Sequence, residues 1–525
     1  MSTGGKRFRS VLRWLLTPLL AVVDRRIAWR ISRAEADVQA LRGDLHAVQG
    51  YVQLLAGALV PASDPVSTGN DRGQETTRVG ASIATIATPP PVAVGPTVTG
   101  ASSVLDRFCC PVCRVDVQIV PEIVTADGRI KRGHIPCSDC GEVIALVRDF
   151  RVDFRTRGGS IPTRPEPVRT IPVLGEARVP YSDSRLVSTG GWASFDDRFL
   201  VSRGSVGDSL EYRGSFTDAL VHLVTHSGAG IVDFFVDGRH TGTVDLHSHY
   251  WFVMPFTIAS DLPVGHHVLR IQPRGTKSAA ATGADVLVSE LVLLGDRTEP
   301  GFEEPRPIIR GNPYMEPFER CISQMPAQEL ILEVGGGERR RMRPGYVNLE
   351  YLSLEFADIY GDIHQLPFRD DTFGLVLAQA VFEHVRDPFT AATELIRVAK
   401  PDGLIVVDVA FMQPLHAAPY HYFNMTPWGI GELFKSCTVL ECDHYDGFAT
   451  TIDWILRSAG AHATVTATEF EDVIERIRQM EVKLSHTDIR PAASGYYVIA
   501  RKPSQASPDA AAVPELTANA AGSHP

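Results

Sequence analysis

Residues 330–337 read LILEVGGG, and this stretch decides how the C-terminal part of the chain folds. Apolar residues surround one acid and run straight into three glycines. That is a buried strand ending in a turn where the backbone can approach a ligand without a Cβ in the way. A second strand, YVNLE at 346–350, also closes on an acid, and DIYGD (358–362), LPF (366–368), DDTF (370–373) and LVLA (375–378) follow. Next come FEHV (382–385), a helix over 388–399, KPDG (400–403) and a strand over 404–409. Strands alternating with helices predict an α/β, doubly wound, Rossmann-like parallel sheet. Residues 437–460, a helix over 469–484 and a strand over 496–500 complete it, with an antiparallel strand near the end.

This ordered series closely resembles the class I S-adenosylmethionine-dependent methyltransferases of the widespread small-molecule kind (type 11). Their hallmarks are an E/D-x-G-x-G turn after strand one, an acid ending strand two, D-x-x-x-LPF-x-D-x-S/T-F-D, EHV-x-DP, and KPGG before strand five. The resemblance covers residues 304–503 and implies S-adenosyl-L-methionine as cofactor. It implies that Gly335, Gly336 and Gly337 pass beneath the methionine part and that Glu333 holds the amino group directly or through water. By the same resemblance Glu350 accepts both ribose hydroxyls, Asp362 and Ile363 flank the adenine, and Gln379 with Ala380 lines the floor near the sulfonium. The chain departs from the pattern where Glu338-Arg339-Arg340-Arg341 follows the glycines, only 13 positions separating Gly337 from Glu350. This resembles a subfamily with G-x-G-x-R-R, a variant cofactor loop and an abbreviated first helix. Asp402 in KPDG and Gly374 after Phe373 are milder departures.

After strand five, PLHAAPYHYFN at 414–424 resembles a P-x-H-x-x-P-x-H/D-Y-F stretch of relatives associated with surface-polysaccharide gene sets. Loops at the carboxyl edge of such a sheet face the ligand crevice. His416 and His421 are therefore the expected catalytic groups, as general base or in positioning the acceptor, because imidazole titrates near neutral pH. Tyr422 is expected to orient the acceptor, and His384 to be structural.

Upstream, residues 170–297 carry short alternating strands with Asp237-Gly238 as a hairpin turn, which predicts a β-sandwich. The segment resembles galactose-binding-like jelly rolls in its VDG hairpin and LPxGxHxLxI strand. Trp192, Tyr250, Trp251, His240, His247 and His249 offer stacking and polar groups for a carbohydrate, or fill a core. In residues 104–156, Cys110, Cys113, Cys137 and Cys140 form two C-x2-C pairs that predict a zinc ribbon with a closed, structural ion. Cys109 is read as a neighbour of that site.

Residues 1–26 are basic and amphipathic, with no uninterrupted apolar run long enough to span a bilayer, and suit an anionic membrane surface. Over 27–60 apolar residues alternate at spacings of four and three, a heptad seam that predicts a coiled coil and self-association as a dimer or trimer. Residues 61–103 read as a flexible linker and 504–525 as a disordered tail. Across 525 residues the formal charge is -11, which lacks the basic footprint of a nucleic-acid binder. Eight cysteines are too few for a disulfide scaffold and point to a reducing, cytoplasmic compartment, with a peripheral place at the inner membrane face.

Together these readings predict a multidomain, cytoplasmic methyltransferase that O-methylates a sugar hydroxyl on a glycan or glycolipid. The rival expectations are a non-catalytic glycan-binding scaffold with a degenerate methyltransferase fold, and a methyltransferase acting on a protein or natural product.

Overall fold

The computed structural model describes residues 104–155, 167–249, 251–310, 313–416, 420–484 and 490–504. The expected basic segment (1–26), coiled coil (27–60) and linker (61–103) lie outside the described residues, as does the expected tail beyond residue 504.

The strand Ile331–Val334 stands at the centre of a parallel sheet, with Tyr346–Glu350 on one side and Phe373–Ala378 on the other. Its four residues are all buried, as a strand covered on both faces requires. Ala399–Ala410 continues the sheet in parallel, Gly495–Arg501 pairs antiparallel beside it, and Thr438–Tyr445, antiparallel to that strand and so parallel to the rest, forms the edge. The chain therefore runs outward in both directions from Ile331–Val334, making a topological switch point and a crevice at the strands' carboxyl ends. The helix Glu316–Gln324 covers one face, burying Phe318, Cys321 and Ile322 against Ile331, Leu375, Leu377 and Val406. On the other face Pro388–Val398 buries Ala391, Ala392, Leu395 and Val398, with Asp387 capping its first turn through the Thr390 amide.

No helix follows the glycine turn. Arg339–Arg340 form a two-residue strand paired antiparallel with Ile308–Ile309. The short spacing before Tyr346 explains this: a few residues cannot supply both a stable helical turn and its connection back to the sheet.

The cysteine-bearing region is built into the same sheet. Arg151–Asp153 pairs in parallel with Ile359–Tyr360, and Glu142–Arg148, Ile130–Cys137 and Val120–Thr125 follow in antiparallel order. Arg169–Ile171, at the expected start of the sandwich, instead pairs with Val120–Thr125, so the sheet has 12 strands. One core runs through both parts: Phe108 stacks on Phe368 at 5.7 Å and meets Phe154 edge-on at 5.3 Å. The LPF stretch thus serves as the seam, with Cys109 N donating to Pro367 O at 3.1 Å.

Between residues 174 and 296 two antiparallel sheets share one hydrophobic core, an arrangement compatible with the expected sandwich. One runs Arg239–Asp245, Ile231–Val236, His266–Pro273, Ser209–Ser215 and Leu186–Thr189. The other centres on Asp218–Thr225 and Val286–Asp296, with Leu174–Pro180 also pairing to the latter. Asp237 and Gly238 both take positive φ (50° and 77°), the backbone that a two-residue hairpin of this twist needs. Buried charges join the sandwich to its neighbours. Lys131, 2% exposed, lies 2.6 Å from Asp218 and 2.8 Å from Asp261. Arg178, Arg310 and Arg340 meet Glu176, Glu290 and Glu355, with His222 Nε2 at 3.0 Å from Glu355. Among the described residues, no helix is long and apolar enough to cross a membrane.

Candidate active site at the carboxyl edge of the sheet

The glycine turn is held by its neighbours in a way that excludes side chains. Gly335 (φ 72°) and Gly337 (φ 59°) occupy the left-handed region, and a Cβ on Gly335 would strike Val381. Gly336 N donates to Asn348 Oδ1 at 3.1 Å, and Asn348 is itself tied to Phe356 O through Nδ2 at 3.2 Å. Gly337 N donates to Glu350, while the space a Cβ of Gly337 would take is open.

Glu350 ends strand two at 5% exposure. Burial pushes its carboxyl up to about 7, against the opposing pull of the Gly337 amide. An ionised Glu350 lacks a full set of donors, and two vicinal hydroxyls would supply them. Asp362 is exposed and caps a short helical turn through the His364 amide at 2.9 Å, with Ile363 buried beside it. Gln379 is buried, donating to Pro313 O at 2.9 Å and accepting from Met315 N at 3.2 Å. Ala380 has a φ of 57°, unusual for a residue with a Cβ, and its amide donates to Asp408 at 2.7 Å.

Glu333 is fully buried, and its carboxylate is already engaged. Tyr314 and Tyr346 hydroxyls donate to Oε2, each at 2.7 Å, and Arg339 donates to Oε1 at 2.8 Å. The Arg339 guanidinium also lies 4.5 Å over the Tyr314 ring. The residues thus fit the implied cofactor on the side of Glu350 and the open Gly337. On the side of Glu333, a cationic partner from this chain stands where the resemblance implies an amino group. Sequence reasoning missed Tyr314 and Arg339; the arginine run after the glycines was the available signal.

The second half of the site lies around Glu383, which is 2% exposed. His384 and His416 present Nε2 at 3.9 and 3.8 Å from Glu383 Oε1. His421 donates from Nε2 to Asn424 Oδ1 at 2.6 Å, and Asn424 Nδ2 donates to Gln413 O at 3.0 Å. The His416 and His421 rings stand 4.4 Å apart, and His416 lies 4.9 Å from the Trp454 ring. Tyr422 is 38% exposed, and its amide donates to Glu383 O at 2.6 Å. The structure therefore brings His416 and His421 together and adds His384, Glu383 and Asp408 to them, while Tyr422 joins through its backbone and turns its ring to Tyr420 and Phe423. Burial, then the Glu383 charge, pushes the Asp408 carboxyl up to about 8. An acid interrupting the apolar strand at 404–409 was the signal for Asp408.

Cys110, Cys113, Cys137 and Cys140 converge, with Sγ separations of 3.1–3.6 Å. Each pair sits on a turn whose closing residue has positive φ, Arg114 at 60° and Gly141 at 70°. Cys109 is buried beside the cluster and not part of it. A cavity of about 70 Å³ between the sandwich and the sheet is lined by Glu176, Arg340, Asn348, Glu355 and Phe356. None of Gly335, Gly337, Glu350 or His416 lines it, and its paired Arg and Glu side chains make it a void in an interface, not the site of chemistry.

Residues 344–407 match the family described as methyltransferase domain. An uncharacterised methyltransferase of Schizosaccharomyces pombe is 30% identical over 118 residues, covering 22% of this chain and 41% of that protein. An uncharacterised methyltransferase of Mycobacterium tuberculosis is 48% identical over its aligned region, covering 16% of this chain and 41% of that one. The chain thus spans less than half the length of these relatives. Among solved structures, the Haemonchus contortus phosphoethanolamine N-methyltransferase 2 in complex with S-adenosyl-L-methionine covers 42% of this chain and 64% of its own. Its identity is 12% and its TM-score 0.23. The motifs and the family match define the class: the C-terminal region is a methyltransferase domain of the class I, S-adenosylmethionine-dependent type.

Proposed function

We propose that this chain transfers methyl from S-adenosyl-L-methionine to a sugar hydroxyl on a glycan or glycolipid intermediate. The observation that carries the reading is the pairing, at one sheet edge, of a buried carboxylate facing an open glycine turn with a histidine-rich loop. When bound, the cofactor supplies an electrophilic methyl group. Glu350 would hold the ribose hydroxyls, the Gly335–Gly337 backbone would pass beneath the methionine part, and Asp362 and Ile363 would flank the adenine. Gln379 and Ala380 would form the floor. His416 and His421 would serve as general base or position the acceptor, with Tyr422 orienting it, so that rate comes mainly from proximity.

The sugar acceptor is supported by the sandwich, where Trp251 is 49% exposed and stacks on His226 at 5.0 Å, a flat face of the kind sugar rings pack against. His240 is exposed on a strand of the other sheet, beside the Asp237-Gly238 turn, and Tyr250 lies outside the described residues. The cysteine cluster has the donor set of a structural Zn2+ ion, since four sulfurs each about 2.3 Å from zinc stand close to the observed separations. Self-association through residues 27–60 and contact with the inner membrane face through 1–26 belong to the same proposal. A second reading, a glycan-binding scaffold with a degenerate fold, draws on Arg339 engaging Glu333.

The test is transfer of labelled methyl from S-adenosyl-L-methionine to fractionated cell extract by the full chain. Label released by glycosidase or lipid hydrolysis and resistant to protease supports the reading. Protease-sensitive label overturns the acceptor, and no label anywhere, with no cofactor bound, favours the scaffold.

A further inference from the structure

The imidazoles around Glu383 are held in one tautomer by the backbone. His384 Nδ1 lies 2.7 Å from Tyr420 O, and a carbonyl can only accept, so Nδ1 carries the proton and Nε2 a lone pair. His416 Nδ1 lies 3.0 Å from Pro414 O and 3.2 Å from His421 Nδ1. His421 Nε2 donates to Asn424, and its Nδ1 accepts from the His416 amide at 3.3 Å, so that nitrogen is an acceptor as well. His416 therefore also carries a proton on Nδ1 and, as the neutral ring, a lone pair on Nε2.

Both lone pairs face a carboxylate. Glu383 Oε1 lies 3.9 Å from His384 Nε2 and 3.8 Å from His416 Nε2, too far for hydrogen bonds. Glu383 Oε2 is buried with no hydrogen-bond partner, an expensive arrangement for a group that is 2% exposed. With both imidazoles neutral, three sets of lone pairs converge beside the buried Glu383 carboxylate and repel one another unless a proton or a metal cation lies among them. Ligand atoms bound to one ion at about 2.1 Å stand roughly 3 to 4 Å apart at ordinary coordination angles, which matches these separations. The Nδ1–H bonds to Tyr420 O and Pro414 O are the outer contacts that orient metal-binding imidazoles.

We propose that Glu383, His384 and His416 form a binding site for a divalent first-row transition cation, separate from the four-cysteine cluster. Two imidazoles and one carboxylate suit zinc, iron, cobalt or manganese, and three protein ligands leave open positions for an oxygen of a bound molecule. The site's existence is independent of the activity proposed above. Its role rests on that reading, in which the open positions take the acceptor hydroxyl and His416, its Nε2 lone pair spent on the cation, acts by positioning.

The probe is Co2+ alone, titrated into the full chain after its cysteine cluster has been filled with zinc and excess metal removed. The expected result is one further equivalent bound, with ligand-field absorption free of thiolate charge transfer. Glu383→Gln and His416→Ala should each weaken that equivalent at least tenfold while the zinc content is unchanged. His416 is half-buried in a loop, and its replacement leaves the Glu383 fold contacts intact, so loss in His416→Ala cannot be laid to unfolding if the far-ultraviolet spectrum is unchanged. No further cobalt in the wild-type protein, or equal binding in both variants, overturns the site. Calorimetry with S-adenosyl-L-methionine on the same samples is read separately: cofactor binding without cobalt binding refutes the metal site alone, and cobalt binding without cofactor binding refutes the methyl-transfer reading alone.

Discussion

Glu350 carries a prediction of its own. Burial raises its carboxyl from an ordinary value of 4.5 to about 7, so the fold favours the protonated form. Its contribution to stability is complete below about pH 4.5 and is lost as pH rises through about 7. Hydroxyl donors favour the ionised form, so cofactor binding should release a proton. Affinity should climb about tenfold between pH 6 and pH 8 and flatten in Glu350→Gln, whose overall binding is weaker. Calorimetry in buffers of different ionisation enthalpy reads both effects; a flat profile in the wild-type protein would contradict the role. At the turn itself, a Cβ on Gly336 would lie 2.5 Å from Asn348 Oδ1 and 2.7 Å from Glu333 Oε2, so Gly336→Ala should cost about 1–3 kcal/mol in denaturant unfolding. Gly337→Ala meets no atom and pays only for its positive φ, about 1 kcal/mol. Equal losses would mean that crowding beneath the turn is not what selects glycine there.

Among the elements, the pairing of Arg151–Asp153 with Ile359–Tyr360 has the clearest consequence. Val152 N donates to Asp358 O at 3.1 Å, and Phe154 N to Tyr360 O at 2.8 Å, so the cysteine-bearing strands brace the segment leading to Asp362. Cys137→Ser, or removal of the proposed zinc by a chelator, should therefore lower the melting temperature of the whole sheet as one transition. Calorimetric scanning showing a separate early transition for the ribbon would contradict this. The sequence showed these elements unevenly, and the reasons are physical. Buried apolar runs and the Asp237-Gly238 turn are local signals, and their strands form where the pattern puts them. Arg339–Arg340 is two residues long and has no period to read, while the union of ribbon and sheet depends on partners some two hundred positions apart. In the candidate site the glycines and strand-end acids were legible because each stands at a fixed place in a motif. Tyr314, which engages Glu333, was not, because it lies in an irregular segment before the first strand.

For the molecule as a whole, buried charge replaces apolar area where sandwich meets sheet. Burial opposes ionisation of Glu355, yet the His222 imidazole 3.0 Å away and the Arg178 and Arg340 charges hold its carboxyl down at about 2. Its contribution is present above about pH 4.5 and is lost only as pH falls toward 2. Glu355→Ala would leave Arg178 with Glu176 and Glu290 and Arg340 with Glu176 alone, so the loss of one charged partner should cost about 2–3 kcal/mol, read as a lower unfolding midpoint at neutral pH. A change under about 1 kcal/mol would show that these pairs relax into water. The same integration decides how the central claim is tested: cutting the chain near residue 300 would strip Arg151–Asp153 from Ile359–Tyr360, so the intact protein is the proper sample. Calorimetric titration of S-adenosyl-L-methionine into the full chain, beside Glu350→Ala, should show micromolar binding that the variant loses. No binding to a folded wild-type protein, or equal binding by both, would contradict a cofactor site built on Glu350 and the glycine turn.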